Sequence, residues 1–357
     1  MYLKSNASII INIKILKLSN SLVFLLSYYF LYCILHLSNC IKGGCIMSYA
    51  DQMFINNCKE ILKNGKTTPC RAHWQDGTQA NTIHIFGVMN RYDLSKEFPI
   101  MTLRKTNLTN AIDELLWIWQ KKSNNVHDLH SHIWDSWADK EGSIGKAYGY
   151  QIGKKYLHNT IKKKDLYSDE YSEITCYHNW YPSMSMKGIR QVDKKTIDIY
   201  MDQIDSVRYD IKHDPTSRRI ITNIYNLQDL HDMNLYPCAY SMTFNVMDGK
   251  LNGMLNQRSQ DMLTANNWNV VQYAILIHML AQEADLEVGE LIHVIGDCHI
   301  YDRHIPDIKA LIEREPLPAP KLIINKNIHN FYKFKPSDFV LENYNHHPNI
   351  GKIEVAI

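Results

Sequence analysis

The chain has 357 residues, 45% hydrophobic and 21% charged, an ordinary globular balance with length enough for a full core and one or two domains. Its 39 basic residues nearly cancel its 37 acidic ones, so the net charge of +2 offers no field to draw a polyanion such as DNA, and any anion site must be local. The eight cysteines include no Cys-x-x-Cys pair, which excludes a regular disulfide framework and fits a reducing, cytoplasmic compartment.

Residues 1–46 stand apart. They contain no acidic residue and carry an apolar run from Leu22 to Leu37, short for a membrane span and long for a signal-peptide core. Lys42-Gly43-Gly44-Cys45-Ile46-Met47 could be encoded by AAA-GGA-GGN-TGY-ATH-ATG, a purine-rich ribosome-binding sequence just ahead of an ATG. The expectation is that residues 1–46 are a translated leader, with Met47 the natural start of a domain spanning 47–357; a membrane or signal segment is the alternative. An amphipathic helix then begins after Met47, with Met53, Ile55, Ile61 and Leu62 as its apolar positions.

From Lys63 to Ala80 the chain is polar, with Gly65, Pro69 and Gly77, and reads as a loop containing Arg71. Thr82 to Tyr92 alternates as a strand. Asn110 to Gln120 is a helix whose Ile112, Leu115, Leu116 and Trp119 form an i, i+3, i+4, i+7 stripe, and Glu114 flanks that stripe. His127, His130 and His132 lack the helical spacing or paired cysteines of a zinc site. The glycines of Gly145-Lys146-Ala147-Tyr148-Gly149 match no phosphate loop, and no Gly-x-Gly-x-x-Gly opens a helix, so a dinucleotide fold is unsupported.

Residues 154–190 are rich in lysine and tyrosine and weakly periodic, as a surface subdomain or insertion would be. A helix is expected from Val192 to Lys212, broken by Asp214-Pro215. Arg218-Arg219 then precedes a strand at Ile220 to Tyr225, where two arginines can hold a phosphate or form a solvated edge.

Tyr240, Met242, Phe244 and Val246 alternate with Ser241, Thr243 and Asn245, and Cys238 has the parity of the apolar face. Asp248-Gly249 is a tight-turn pair, and Leu251 to Gln257 reads as the second strand of a hairpin that returns Arg258-Ser259 toward Cys238. Two readings of that pair stand at this point. A fixed cation favours thiolate over thiol, while a buried cysteine also serves as a small structural hydrophobe. Asn269 to Ala284 is apolar nearly all round and belongs at the centre of a fold. Leu291 to Ile295 is a short buried strand, followed by His299 and Tyr301 with shared parity. The apolar C-terminus suggests a docked tail.

In this order, Glu114-Leu115-Leu116-Trp117, Ile133-Trp134-Asp135-Ser136-Trp137, Ser217-Arg218-Arg219-Ile220, Tyr236-Pro237-Cys238, Gln257-Arg258-Ser259, Gly296-Asp297-Cys298-His299-Ile300-Tyr301 and Val355-Ala356-Ile357 resemble thymidylate synthase, the folate-dependent family that methylates dUMP. The resemblance covers Met47 to Ile357. It implies an α/β (α+β) fold with a large mixed β-sheet flanked by helices, residues 154–190 as a small variable subdomain, and an obligate homodimer packed sheet to sheet.

By the same resemblance, Cys238 is the nucleophile that adds to carbon 6 of uracil, and Arg258 holds the nucleotide phosphate and favours the thiolate. Glu114 organises proton transfer, and Asn269 reads the uracil edge. Arg71 and Ser259 also lie at the phosphate, joined by Arg218 and Arg219 from across the dimer. His299 and Tyr301 bind the ribose 3′-hydroxyl. Trp134, Asp261, Arg104 and the terminal Ile357 are implied at the folate. The implied one-carbon and hydride donor is 5,10-methylenetetrahydrofolate, the products are dTMP and dihydrofolate, and no metal, DNA or membrane contact is implied for residues 47–357.

Ala239 departs from the histidine that often follows the nucleophile, with slower proton handling as the expected consequence. The nearest rival is a nucleotide hydroxymethylase of the same fold, in which water replaces hydride; Trp134 and Asn269 argue against it and its cytosine-specific form. A non-catalytic nucleotide- or RNA-binding relative is the other rival, opposed by the joint presence of Cys238, Glu114 and Arg258 and by the near-neutral charge.

Overall fold

A computed structural model describes residues 47–164, 180–189 and 194–356, and Met47–Ile357 forms one compact unit. The leader reading falls on residues 1–46, outside the described residues. Helix α1 (Tyr49–Asn64) begins at Ser48, whose hydroxyl accepts the Asp51 N–H at 3.5 Å. It buries Phe54, Cys58 and Ile61. Next comes β1 (Lys66–His73), where the polar composition had suggested a loop. β1 is the edge strand of a sheet, and its register against β2 (Gln79–Asp93) shifts between Pro69 and His73. An edge tolerates Pro69 and an exposed polar face, so Arg71 sits on a strand.

Helix α2 (Leu108–Trp119) is capped by Asn107, whose side chain accepts the Asn110 N–H at 3.1 Å, and every side chain from Ala111 to Trp119 is buried. A short α3 (Gly149–Gly153) leads to β3 (Tyr156–Lys162), β4 (Ser185–Ile189) and β5 (Thr196–Met201), which form their own sheet in the order β3-β5-β4. This sheet covers part of the segment 154–190 expected as a variable insertion and runs beyond it to Met201; residues 165–179 and 190–193 lie outside the described residues. The helix expected from Val192 is corrected to β5 followed by α4 (Gln203–His213). Ile197, Ile199 and Met201 are buried at the strand period of two, and the Asp202 side chain then accepts the Asp205 N–H at 2.9 Å to start the helix.

After the short β6 (Ile221–Asn223), strands β7 (Ala239–Met247) and β8 (Lys250–Asp261) form the expected hairpin. Asp248 (φ 52°) and Gly249 (φ 73°) both take the left-handed conformation that a two-residue turn of this kind requires. Helix α5 (Asn266–Glu283) is buried on almost all sides. The strand expected at Leu291 to Ile295 extends to fifteen residues as β9 (Glu287–Tyr301), carrying His299 and Tyr301 within it. Helix α6 (Ile305–Ile312) and the ribbon of β10 (Lys321–Ile324) and β11 (Phe339–Glu342) complete the chain.

The main sheet has the order β1-β2-β9-β8-β7-β6, with β8 and β9 parallel and the other pairs antiparallel. Parallel neighbours need a crossover, and α5 is that crossover. One face of the sheet packs inward through Phe244, Leu251, Leu255, Leu291 and Ile295. On the other, Met89 pairs with Val294 and Val294 with Asn256, and Met89 is 62% exposed. Paired residues share a face, so this side of the sheet presents apolar groups without cover from its own chain. Among the described residues no helix is long and apolar enough to cross a membrane.

Charge, as well as apolar packing, ties α4 to α5. Arg208 donates to Glu283 from Nε at 2.8 Å and from Nη2 at 2.5 Å, and its Nη1 donates to Asp205 at 2.7 Å. The Tyr332 hydroxyl also donates to Asp205, at 2.7 Å. All three charged groups are buried. Replacing Arg208 by Ala leaves two buried carboxylates without their cation, and urea unfolding at fixed protein concentration should show a loss of about 3–5 kcal/mol.

Candidate active site

The Asp-Gly turn sets the hairpin so that the Arg258 N–H donates to the Cys238 carbonyl at 2.9 Å. The register between β7 and β8 shifts between Ala239 and Ser241. Straight alternation therefore fails at this point, and Ala239 rather than Tyr240 is buried with Met242. Cys238 is thus turned off the core face to which its parity had assigned it. The Arg258 side chain folds over the same corner: Nε donates to the Pro237 carbonyl at 3.0 Å, Nη2 to the Tyr236 carbonyl at 2.8 Å, and Nη2 lies 3.6 Å from Cys238 Sγ. The cation is held in place by backbone before any ligand arrives.

Burial pushes the Cys238 thiol above its ordinary pKa, and the nearby Arg258 charge pulls it back without cancelling that rise. The Arg258 charge thus acts in the direction expected of it, toward the thiolate, against a larger opposing effect of burial. The sulfur lies beside a cation that favours the thiolate, in a setting whose burial opposes it.

Glu114 occupies the inner side of α2, only 6% exposed. The Trp134 indole N–H donates to one oxygen at 2.9 Å and the Trp268 indole to the other at 2.6 Å. Burial raises the Glu114 pKa, and the donors from Trp268, Trp134 and Gln272 offset only part of the rise. A carboxyl lifted toward neutrality can both take and give a proton. Trp134 packs edge to face on Tyr148 with centroids 4.8 Å apart, and the Tyr148 hydroxyl accepts the Cys238 backbone N–H at 3.3 Å. A chain of contacts therefore runs from the Glu114 carboxyl through Trp134 and Tyr148 to the Cys238 backbone.

Asn269 lies in the first turn of α5, where its Oδ1 accepts from Gln257 Nε2 at 3.2 Å and its Nδ2 donates to Gln272 Oε1 at 3.3 Å. Gln257 also donates to the Ser259 carbonyl at 2.9 Å, which brings Ser259 into the same network. Since a carbonyl only accepts, that contact fixes which way the Gln257 amide faces, and hence the Asn269 amide. His299 and Tyr301 on β9 meet edge to face with centroids 5.2 Å apart.

Asp261 closes β8 and accepts from the Leu263 N–H at 2.9 Å and from the Thr264 hydroxyl. Burial works to raise its pKa, but the imidazoles of His304 and His299 and the Thr264 hydroxyl outweigh it, so Asp261 lies below the usual carboxylate range. Arg104 reaches the same strand end, donating from Nη2 to the Leu263 carbonyl at 2.5 Å, and its buried Nε makes no hydrogen bond among the described residues.

Arg71, Arg218 and Arg219 are exposed, and none of their guanidinium groups makes an ion pair or hydrogen bond among the described residues. The structure does not join them to the cluster around Cys238. Ile357 lies outside the described residues. The docked tail is visible up to its neighbour: Glu354 accepts from Arg303 at 3.2 Å and from the Gln75 N–H at 3.2 Å. Among the described residues no group of three or more His, Cys, Asp or Glu side chains is placed to hold a metal ion.

Sequence reading missed Tyr148, Trp268, Gln257 and Gln272 as parts of this site. Tyr148 had been inspected only as part of a glycine pattern. Its signal is conformational: φ of 43° is rare for a residue with a Cβ and marks a constrained position.

A family profile described as thymidylate synthase matches residues 52–357. A thymidylate synthase from Bacillus subtilis subsp. natto is 38% identical over 318 residues, covering 87% of this chain and 100% of that protein. One from Bacillus licheniformis is 39% identical over the same span and coverage. Among solved structures, the thermostable thymidylate synthase A from Bacillus subtilis aligns with a TM-score of 0.71 at 38% identity, covering 86% of this chain and 99% of that one.

Alkylation proceeds through the thiolate, so a raised thiol pKa moves its pH profile upward. Mass-spectrometric tracking of iodoacetamide labelling at Cys238 should give a midpoint above that of an ordinary cysteine. Arg258→Gln should move it higher still, because the cation that partly offsets burial is gone.

Proposed function

The chain belongs to the thymidylate synthase family and is a methyltransferase that acts on dUMP, and we propose that its chemistry is carried by Cys238, Arg258, Glu114 and Asn269. The observation that carries this assignment is the fixed Arg258 guanidinium 3.6 Å from the Cys238 sulfur on the hairpin corner. Cys238 adds to uracil carbon 6, and Arg258 stabilises the thiolate as it forms and binds the nucleotide phosphate with Ser259. Asn269, held by Gln257 and Gln272, retains one lone pair and one N–H for the ring N–H and the adjacent oxygen of uracil. Glu114 exchanges protons with the ring through ordered water, its burial opposing ionisation while the two indole donors favour it.

The donor set suits a reduced folate, with an ionised Asp261 for pterin N–H groups and a spare Arg104 N–H for an anion. When bound, 5,10-methylenetetrahydrofolate supplies both the one-carbon unit and the hydride that makes it a methyl group. Trp134 borders that position and shields it from water, and Ile357 closes it through the tail. The products are dTMP and dihydrofolate.

Two copies pair through the uncovered face of the sheet that carries Met89 and Val294, which supplies the apolar partner this face lacks. Arg71, Arg218 and Arg219, free of partners among the described residues, serve the phosphate, the last two in the neighbouring subunit's site. The free thiols of Cys58, Cys70, Cys238 and Cys298 accord with a cytoplasmic setting.

The absorbance rise of dihydrofolate formation from dUMP and methylenetetrahydrofolate should be abolished by Cys238→Ala; activity surviving in that variant refutes the nucleophile assignment. A mixture tests the shared site. Cys238→Ala and Arg219→Glu subunits, each inactive alone, should recover about a quarter of wild-type activity on random pairing, because only half the dimers are mixed and each holds one complete site. No recovery between exchanging subunits would place Arg219 outside the neighbouring site.

A further inference from the structure

One cluster beside the site is unused by this chemistry. On β9, Asp297 stands two residues before His299, and each of its oxygens meets a different imidazole: Oδ1 lies 2.7 Å from His299 Nδ1 and Oδ2 lies 2.5 Å from His84 Nδ1. His84 sits on β2, directly opposite His299 in the ladder. Its far nitrogen, Nε2, is 3.4 Å from the Thr68 hydroxyl on β1.

A carboxylate only accepts, so each imidazole must present an Nδ1–H to Asp297. The second nitrogen of a neutral ring is then left as a lone pair. For His84 that lone pair faces the Thr68 hydroxyl. For His299, Nε2 has no hydrogen-bond partner among the described residues and is left as an acceptor. The ribose 3′-hydroxyl is a donor, and an acceptor of fixed direction is what it needs. Burial works to raise the Asp297 pKa, but the two imidazoles outweigh it and keep the carboxylate ionised.

We propose that His84 is a positioning residue for nucleotide recognition: by occupying the second oxygen of Asp297 it fixes the carboxylate, and through it the tautomer and direction of His299 toward the ribose 3′-hydroxyl. This rests on the reading of His299 as the ribose ligand. With Oδ2 free, Asp297 can rotate about its side-chain bonds and accept from His299 in other geometries, so the acceptor loses direction while the rest of the dUMP contacts stay intact. His84 touches no substrate; it acts through two intervening groups, in the way that outer partners orient histidines at other sites.

The test compares binding of dUMP with 2′,3′-dideoxyuridine monophosphate, which lacks the hydroxyl in question, by calorimetry on the full-length protein. Wild type should prefer dUMP. His84→Leu should weaken dUMP about threefold to tenfold, the worth of one directed hydrogen bond, and leave the dideoxy compound unchanged. His84→Gln, whose amide can donate to the same oxygen, should keep more of the preference. Equal weakening of both nucleotides means that His84 is merely structural, and an unaltered preference means that it does not direct His299; either overturns the proposal. His299→Ala separates the premise. If that variant loses the preference while His84→Leu keeps it, the proposal alone fails; if His299→Ala keeps it, the ribose reading fails and the proposal with it.

Discussion

Helix α5 has no polar side to offer water, and the rest of the molecule is arranged to enclose it. Val270, Val271, Ala274, Ile275, Ile277, Met279 and Leu280 are each at most 1% exposed. Burying a residue of this size contributes about 1.5–3 kcal/mol, so the helix gains far more from full enclosure than from any single polar contact nearby. The sheet closes one side so tightly that a Cβ at Gly253 would stand 2.6 Å from Ile277 Cδ1. Helix α2 closes another side, with Gln272 donating to the Ala111 carbonyl at 3.2 Å. Once α5 is so confined, its first turn has no freedom left. Trp268 must meet Glu114 and Asn269 must meet Gln257, and the polar site is held by apolar packing behind it.

That confinement explains why the two groups proposed to move protons and electrons are both shifted against ionisation. Burial dominates at Cys238 and Glu114, whereas at Asp261 and Asp297 imidazole neighbours outweigh it. Ionisation is therefore disfavoured in the first pair and favoured in the second. Charge that must appear during the reaction is met by dipoles and a cation already in position, which avoids reorganisation at the critical moment. The backbone carbonyls of Tyr236 and Pro237 are what keep Arg258 from swinging to solvent.

The parts of the fold with a strong period were legible in the chain. The stripe on α2, the apolar run of α5 and the Asp-Gly turn all appear where the residues put them. Weak periods failed for identifiable reasons. β1 is an edge strand, so its residues look like a loop's; β5 is six residues long and runs directly into α4, so its alternation was absorbed into a longer helix. β9 extends on both sides of the apolar Leu291 to Ile295, through residues whose polarity breaks the apolar pattern that marks a strand. In the candidate site, Cys238 and Arg258 are brought together as the hairpin predicts, whereas Tyr148, Trp268 and Gln272 meet their partners only through packing. Nothing in the local sequence of His84 or Tyr148 announces a partner more than eighty positions away, for such contacts belong to the ladder and the packing.

The spacing of the strands along the chain also bears on how the molecule is made. β7, the Asp-Gly turn, β8, α5 and β9 follow one another without interruption, so Cys238, Arg258 and Asn269 can assemble by short loop closures. The β1–β2 hairpin must instead find β9 across most of the domain: His84 and Asp297 are 213 positions apart, Trp74 and Asp302 are 228 apart, and closing long loops is slow. Contacts among β7, β8, α5 and β9 are thus local in contact order, and those that join β1 and β2 to β9 are not. During refolding, docking of β1 and β2 is the step that waits on chain diffusion, and until it occurs the sheet has an open edge along β9 to which a second chain could pair.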